Sequence, residues 1–427
     1  MTDTTPPKVD GFNAYVTRLP DGGRDRPQEG ADRDARALPL ADTPIAVKDV
    51  IDVAGVSATF GSRVPARPAP AERSAPLVRT LQRAGASVVA TTNCQEFSYG
   101  ILGDESAHGR SINPLGPGLV TGGSSMGSAI AVATGDVPLS IGTDTAGSVR
   151  VPAACTGIIG FKPTFGALPV DGIFPLSPSF DTPGFFARDT EVIERAFVAT
   201  APETGPQSAS QAAPHAGVPG ADEPLTIDLS LLHGAESDRT PEAPNIARLA
   251  RAAAEALPGA RAISGNTRAL ATLLDAAGPI YSVVRRYEAY RIHRPYLADY
   301  AHLYQPGVLR MIRAGEGITP GEYEQHLRML ADLRRRALAQ TQDAQLLITP
   351  AIRGDVPTWD AVTEATADDF VRYSMPFNVL GWPAVVIPTP LTAPSGVPVA
   401  LQVVGKPGAD VQVLRAAGRL LEAMRED

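Results

Sequence analysis

Between Thr121 and Gly166 the chain carries two glycine-rich turns that each bear a serine, and no other segment restricts the possible folds as much. The segment runs T-G-G-S-S-M-G-S, then an apolar stretch, then I-G-T-D-T-A-G-S-V-R, then I-I-G-F-K-P-T-F-G. Ser124 and Ser148 each follow a glycine, where backbone can approach a ligand closely and adopt conformations closed to most side chains. Upstream, T-P-I-A-V-K-D-V-I at 43–51 sets Lys48 inside an alternating, mostly apolar, strand-like run. A serine nucleophile needs a base, and a lysine becomes one only when burial lowers its pKa. Two serines and a lysine in these settings are the parts of a Ser–Ser–Lys hydrolase.

At 427 residues the chain exceeds the size at which single cores usually divide, yet one large α/β domain can still accommodate it. A net charge of −8 with no basic tail argues against a nucleic-acid partner. Cys94 and Cys155 lack C-x-x-C spacing and read as buried free thiols in a reducing compartment. Either could in principle be a nucleophile, but neither has a histidine beside it in sequence. The start, M-T-D-T-T-P-P, has neither the basic opening nor the apolar core of a signal peptide, and no apolar run approaches a membrane span. A cytoplasmic protein without a membrane partner is the expectation.

Residues 1–42 are rich in Pro, Gly, Asp and Arg with little periodicity, which predicts a loose N-terminal arm, followed by a domain over 43–427. Strand patterns at Ile45–Val53, Ser87–Thr92 and Leu139–Ile141 alternate with helical ones at Ala75–Ala84 and Ser125–Thr134, the signature of an α/β layered core. Residues 201–224 are of low complexity and read as an exposed connection inside the domain. A strand is expected at Leu225–Leu232, then helices near 242–257, 278–300 and 320–341. Strands at Leu346–Thr349, Ala384–Pro388 and Val399–Val404 and a helix at Val411–Arg425 close the chain. Arg285, Arg286, Arg291, Arg294, Arg334, Arg335 and Arg336 recur at helical spacing; they fit solvated helix faces, with an anion site as the alternative.

The peptide G-G-S-S-M-G also fits G-x-S-x-G, the nucleophile elbow of α/β-hydrolases, with Ser125 central. That chemistry needs a histidine late in the chain, and none of His108, His215, His233, His293, His302 and His326 lies in the last hundred residues. Nor does Gly-Lys-Ser/Thr follow the turn, as a phosphate loop would require.

The chain resembles the amidase signature family. The likeness rests on I-A-V-K-D, on T-T-N-x-x-E-F at Thr91–Phe97, and on the whole of Thr121–Gly166. It extends to S-F-D-T-P-G-F-F-A-R at Ser179–Arg188, P-F-N-x-x-G-W-P-A at Pro376–Ala384 and L-Q-V-V-G at Leu401–Gly405. It implies an α/β fold, one large mixed β-sheet of many strands covered by helices on both faces. It also implies a Ser–cis-Ser–Lys triad, with Ser148 the nucleophile, Ser124 the bridging serine after a cis Gly123–Ser124 peptide, and Lys48 the final base. The backbone N–H groups of Thr145, Ala146, Gly147 and Ser148 would form an oxyanion hole. Asp144 and Arg150 flank this turn and read as a structural pair; Ser125 stands beside them as a supporting residue.

Met126 and Ala146 stand where the family more often has glycine, and both are expected to add bulk near the acyl centre. Phe174, Phe180, Phe377, Tyr373 and Trp382 are aromatic candidates for pocket walls, with core packing the alternative. The implied function is hydrolysis of a small-molecule amide, with esters and carbamates as further substrates, by a monomer or homodimer. The alternative is the amidase-type subunit of a glutamine-dependent amidotransferase. The histidines and cysteines show no metal-ligand spacing, so neither metal nor organic cofactor is expected. Exhaustive chelation should leave amide hydrolysis unchanged; loss of activity that added zinc restores would contradict this.

Overall fold

A computed structural model describes residues 11–19, 38–67, 69–200, 225–232, 243–257, 259–264 and 267–426. The described strands are β1 (Tyr15–Arg18), β2 (Thr43–Lys48), β3 (Ala86–Thr92), β4 (Leu139–Asp144), β5 (Ile159–Lys162), β6 (Thr182–Ala187), β7 (Leu225–Asp228), β8 (Ala260–Ile263), β9 (Leu346–Pro350), β10 (Ala384–Thr392) and β11 (Pro398–Gly405). They form one 11-stranded sheet in the order β1-β3-β2-β4-β6-β5-β10-β11-β9-β7-β8. It is mixed: β2 runs parallel to β3 and β4, β7 parallel to β8 and β9, and the remaining neighbours are antiparallel.

Side chains alternate across a strand, and here both faces of the sheet are apolar. Ile45, Val47, Leu139, Ile141, Phe185, Val385, Ile387, Leu401 and Val403 share one core cluster. Its other side comes from helices Pro76–Arg83, Thr190–Thr200, Ala243–Ala256 and Asp410–Glu426. The intervening Ala46, Phe186, Val386 and Ala400 belong to a second cluster, closed by Ala129–Val132 of helix Met126–Ala133 and by Ala153 and Ala154 of helix Arg150–Thr156. Continuing this alternation, Lys48 follows Ala46 onto the face of those two short helices. The serine-bearing turns lead into the same two helices.

The expected helices near 242–257, 278–300 and 320–341 are present as Ala243–Ala256, Ala277–Tyr300 and Pro320–Gln340. The expected strand at Leu225–Leu232 is shorter, ending at Asp228 before a 3-10 turn at Ser230–Leu232. The loose-arm expectation for residues 1–42 is corrected at Tyr15–Arg18, which pairs antiparallel with β3 as an edge strand. Its four residues are too few to register as a periodic pattern. Residues 1–10, 20–37 and 201–224 lie outside the described residues.

Ala14, just before β1, is held by a close backbone approach. The Gly127 N–H donates to Asn93 O (3.0 Å), and Asn93 N–H donates to Ala14 O (2.8 Å). A Cβ at Gly127 would lie 2.6 Å from both the nitrogen and the oxygen of Asn93, and against Ala14 O. Gly127→Ala should therefore destabilise the fold by about 1–3 kcal/mol, the usual cost of overpacking a rigid contact. Urea unfolding checks this, and an unchanged midpoint would show that the arm yields freely.

Candidate active site

Lys48 ends β2 fully buried, and its Nζ lies 2.6 Å from Ser124 Oγ and 2.9 Å from Thr143 Oγ1. Burial lowers its pKa from the ordinary lysine value to about 8, against opposing attraction from Cys94, Asp144 and Asp181. The Gly123–Ser124 peptide is cis. Ser124 sits two residues before helix Met126–Ala133, and its carbonyl accepts from Gln95 N–H at 3.0 Å. Burial also raises the Cys94 and Cys155 thiols above the ordinary range, so neither is a thiolate nucleophile.

The turn from Asp144 to Arg150 is built around one ion pair. Arg150 Nε and Nη2 donate to Asp144 Oδ2 (3.0 Å) and Oδ1 (2.9 Å), with both side chains fully inaccessible. Arg150 Nη1 donates to Ser374 O (2.8 Å) and Gln402 Oε1 (2.7 Å), and Nη2 also to Asn378 Oδ1 (2.5 Å). All five guanidinium donors are thereby used. Burial alone would raise the Asp144 carboxyl, but the Arg150 charge and hydrogen bonds hold it down at about 2. Asp144 also accepts from the N–H groups of Gly147 (2.8 Å) and Val149 (3.1 Å), curling the turn around its carboxylate.

This corrects one expectation for the oxyanion hole. The Gly147 N–H is occupied by Asp144, so Gly147 is not a donor to substrate. Among the described residues the N–H groups of Thr145, Ala146 and Ser148 have no acceptor. Gly147 serves the turn through its backbone instead: its φ is +136°, and a Cβ there would collide with Ser374 Oγ, which donates to Ala146 O at 2.6 Å.

Ser148, Thr145 and Ala146 line a cavity of about 360 Å³, together with Ser98, Tyr99, Leu176, Tyr281 and Arg285. Phe174 lines an adjoining space of about 100 Å³ that shares Ser98, Thr145 and Leu176 with it. Four further pocket expectations are corrected. Met126 opens its helix fully buried and lines neither space. Phe377 and Trp382 pack on each other, ring centroids 6.4 Å apart, in the core under helices Ala277–Tyr300 and Pro320–Gln340. Phe180 belongs to that core too, against Tyr281 at 5.3 Å.

Ser125 is also buried, its Oγ donating to Thr143 O at 3.2 Å. A nucleophile elbow exposes its serine to substrate and a histidine, so this geometry removes the α/β-hydrolase alternative. Of the described histidines, His108 lies 2.8 Å from Thr59 Oγ1, His293 3.0 Å from Tyr304 OH and His326 2.8 Å from Glu322 O. A second buried lysine, Lys162, was not singled out from sequence. Burial lowers it to about 7, but its Nζ donates to the Pro163 carbonyl, which has no proton to relay.

The sequence also gave no notice of Thr143 as a Lys48 partner, of Asn378 and Gln402 around Arg150, or of Asp181, which accepts from Thr145 Oγ1 at 2.6 Å. All four lie inside motifs quoted above, the one available signal. Among the described residues no group of three or more His, Cys, Asp or Glu side chains is arranged to hold a metal ion.

The Amidase family model matches residues 10–414. The A subunit of glutamyl-tRNA(Gln) amidotransferase from Symbiobacterium thermophilum is 33% identical over 414 residues, covering 90% of this chain and 83% of that protein. The 2-amino-5-chloromuconic acid deaminase of Comamonas testosteroni is 32% identical over 425 residues, covering 95% of this chain and 87% of that protein. A crystal structure of an amidase superposes with a TM-score of 0.78 at 29% identity, covering 96% of this chain and 92% of the other.

Removing one partner of a buried ion pair leaves an uncompensated charge. Arg150→Met should therefore lower unfolding stability by about 3–5 kcal/mol. Chemical denaturation measures this, and a loss below about 1 kcal/mol, the surface-pair range, would show that the turn does not depend on the pair.

Proposed function

Since the chain belongs to the amidase family, we propose that it cleaves its carboxamide through an acyl-enzyme on Ser148, with Ser124 and Lys48 as the proton relay. It is a hydrolase acting on carbon–nitrogen bonds other than peptide bonds. The observation that carries the relay is the 2.6 Å contact between Lys48 Nζ and Ser124 Oγ in a fully buried site.

Neutral Lys48 takes a proton from Ser124 as Ser124 takes one from Ser148, and Ser148 Oγ bonds to the carbonyl carbon. The N–H groups of Thr145, Ala146 and Ser148 receive the oxyanion. As the tetrahedral adduct collapses, the proton returns through Ser124 to the leaving nitrogen, the C–N bond breaks and the amine departs. Water then enters by the same relay and releases the acid.

The substrates are small amides, with aryl esters and carbamates as further candidates, because an acyl-enzyme forms from any of them. The chain acts as a free-standing enzyme, a monomer or homodimer, in the reducing cytoplasm that suits its two free thiols. The A subunit of a glutamine-dependent amidotransferase would use the same relay, and turnover of a simple amide by the isolated chain separates the two.

The test is the pH profile. The relay needs unprotonated Lys48, whose pKa is lowered to about 8, so kcat/KM should rise as pH passes through that value and be lost below it. This limb lies above the ordinary histidine value of about 6.5. Lys48→Ala should abolish the limb and cost about 10²–10⁴-fold in rate, the range for a proton-transfer group. A limb that survives in Lys48→Ala and disappears in a His108 or His293 variant would refute the relay.

A further inference from the structure

The solvated-face expectation holds for Arg335 and Arg336, exposed and paired with Asp332 at 2.9 and 2.8 Å. It fails for Arg285. This residue leaves helix Ala277–Tyr300 half-buried and lines the cavity that contains Ser148. Its guanidinium lies 5.0 Å from the Tyr99 ring centroid and 4.8 Å from that of Tyr281, two rings that line the same cavity. Its Nε is buried and has no hydrogen-bond partner among the described residues, while the rest of the guanidinium bonds the Tyr281 side chain. A buried N–H without an acceptor is costly, and buried polar groups in native proteins are nearly always paired.

The surrounding charge has the same sense. Arg286 and Arg310 also line the cavity, while Asp368, whose charge acts on Arg285, is the one carboxylate among its lining residues. Glu105, close to Arg310, is engaged in accepting from Gly307 N–H at 2.7 Å. An arginine set against two aromatic rings presents its remaining donors as a planar fork, suited to a carboxylate. A space of about 360 Å³ takes a small molecule.

We propose that Arg285 is a specificity residue that receives a carboxylate, and that the substrates are small amides bearing a carboxylate group besides the scissile amide. This rests on the hydrolase assignment for its chemistry, but the binding it requires does not. Arg286 and Arg310, both exposed, draw the anion to the cavity, and Arg285 holds it beside Ser148.

The experiment compares matched pairs. Malonamate, succinamate, glutaramate and N-acetyl amino acids are each set against the counterpart whose carboxylate is replaced by a methyl group. At least one acid should exceed its neutral counterpart in kcat/KM by roughly 30-fold or more, the low end for loss of a buried charged partner. Arg285→Gln should bring that ratio towards one, with Arg285→Lys in between. A merely structural arginine would lower both members equally and leave the ratio unchanged, which would overturn the proposal, as would neutral amides that match or exceed every acid.

Calorimetry of the same acids with Ser148→Ala reads binding without turnover. Binding there, weakened by added Arg285→Gln, supports the carboxylate site even if no amide is cleaved. Absence of binding by every acid overturns it.

Discussion

The buried pair of Asp144 and Arg150 is the interaction on which the rest of the site depends. Burying two charges is expensive, and a well-packed apolar pair would often serve stability as well or better. What the pair supplies is geometry. One carboxylate receives N–H groups from its own turn while one guanidinium reaches Ser374, Asn378 and Gln402, more than two hundred residues away in sequence. The turn bearing Ser148 is thereby tied to helix Met375–Leu380 and to β11 at once. The Gly147 N–H is committed to Asp144 within the same turn.

Burial sets the chemistry of Lys48. Cys94, Asp144 and Asp181 attract the lysine charge and would favour the ammonium. Desolvation then prevails, and Lys48 falls towards neutrality near physiological pH. Its contacts are hydroxyls, Ser124 and Thr143, which accept hydrogen bonds without adding negative charge. A carboxylate at either position would hold the proton on the lysine and stop the proposed relay.

The candidate site was legible in sequence where tight turns constrain local backbone: glycine before each serine, small residues through the turn, a lone lysine in an apolar strand. The helices Ala277–Tyr300 and Pro320–Gln340 were legible through length and composition. β5 and β6 were not, because I-G-F-K and T-P-G-F-F-A are buried on both faces and lack the alternation that marks a half-exposed strand. Aromatic residues misled for a related reason. Phe377 and Trp382 carry the composition of a pocket wall and of a core equally, and only packing distinguishes the two. Arg285 differs from Arg335 by its place on a helix face and by which neighbour covers it, neither of which a linear pattern records.

The most direct test of the Ser148–Ser124–Lys48 relay is the site of covalent modification by a fluorophosphonate, located by peptide mass spectrometry in wild type and Lys48→Ala. The relay predicts a single adduct on Ser148, formed far more slowly when Lys48 is absent. An adduct on Ser125, or labelling of Ser148 at an undiminished rate without Lys48, would contradict it.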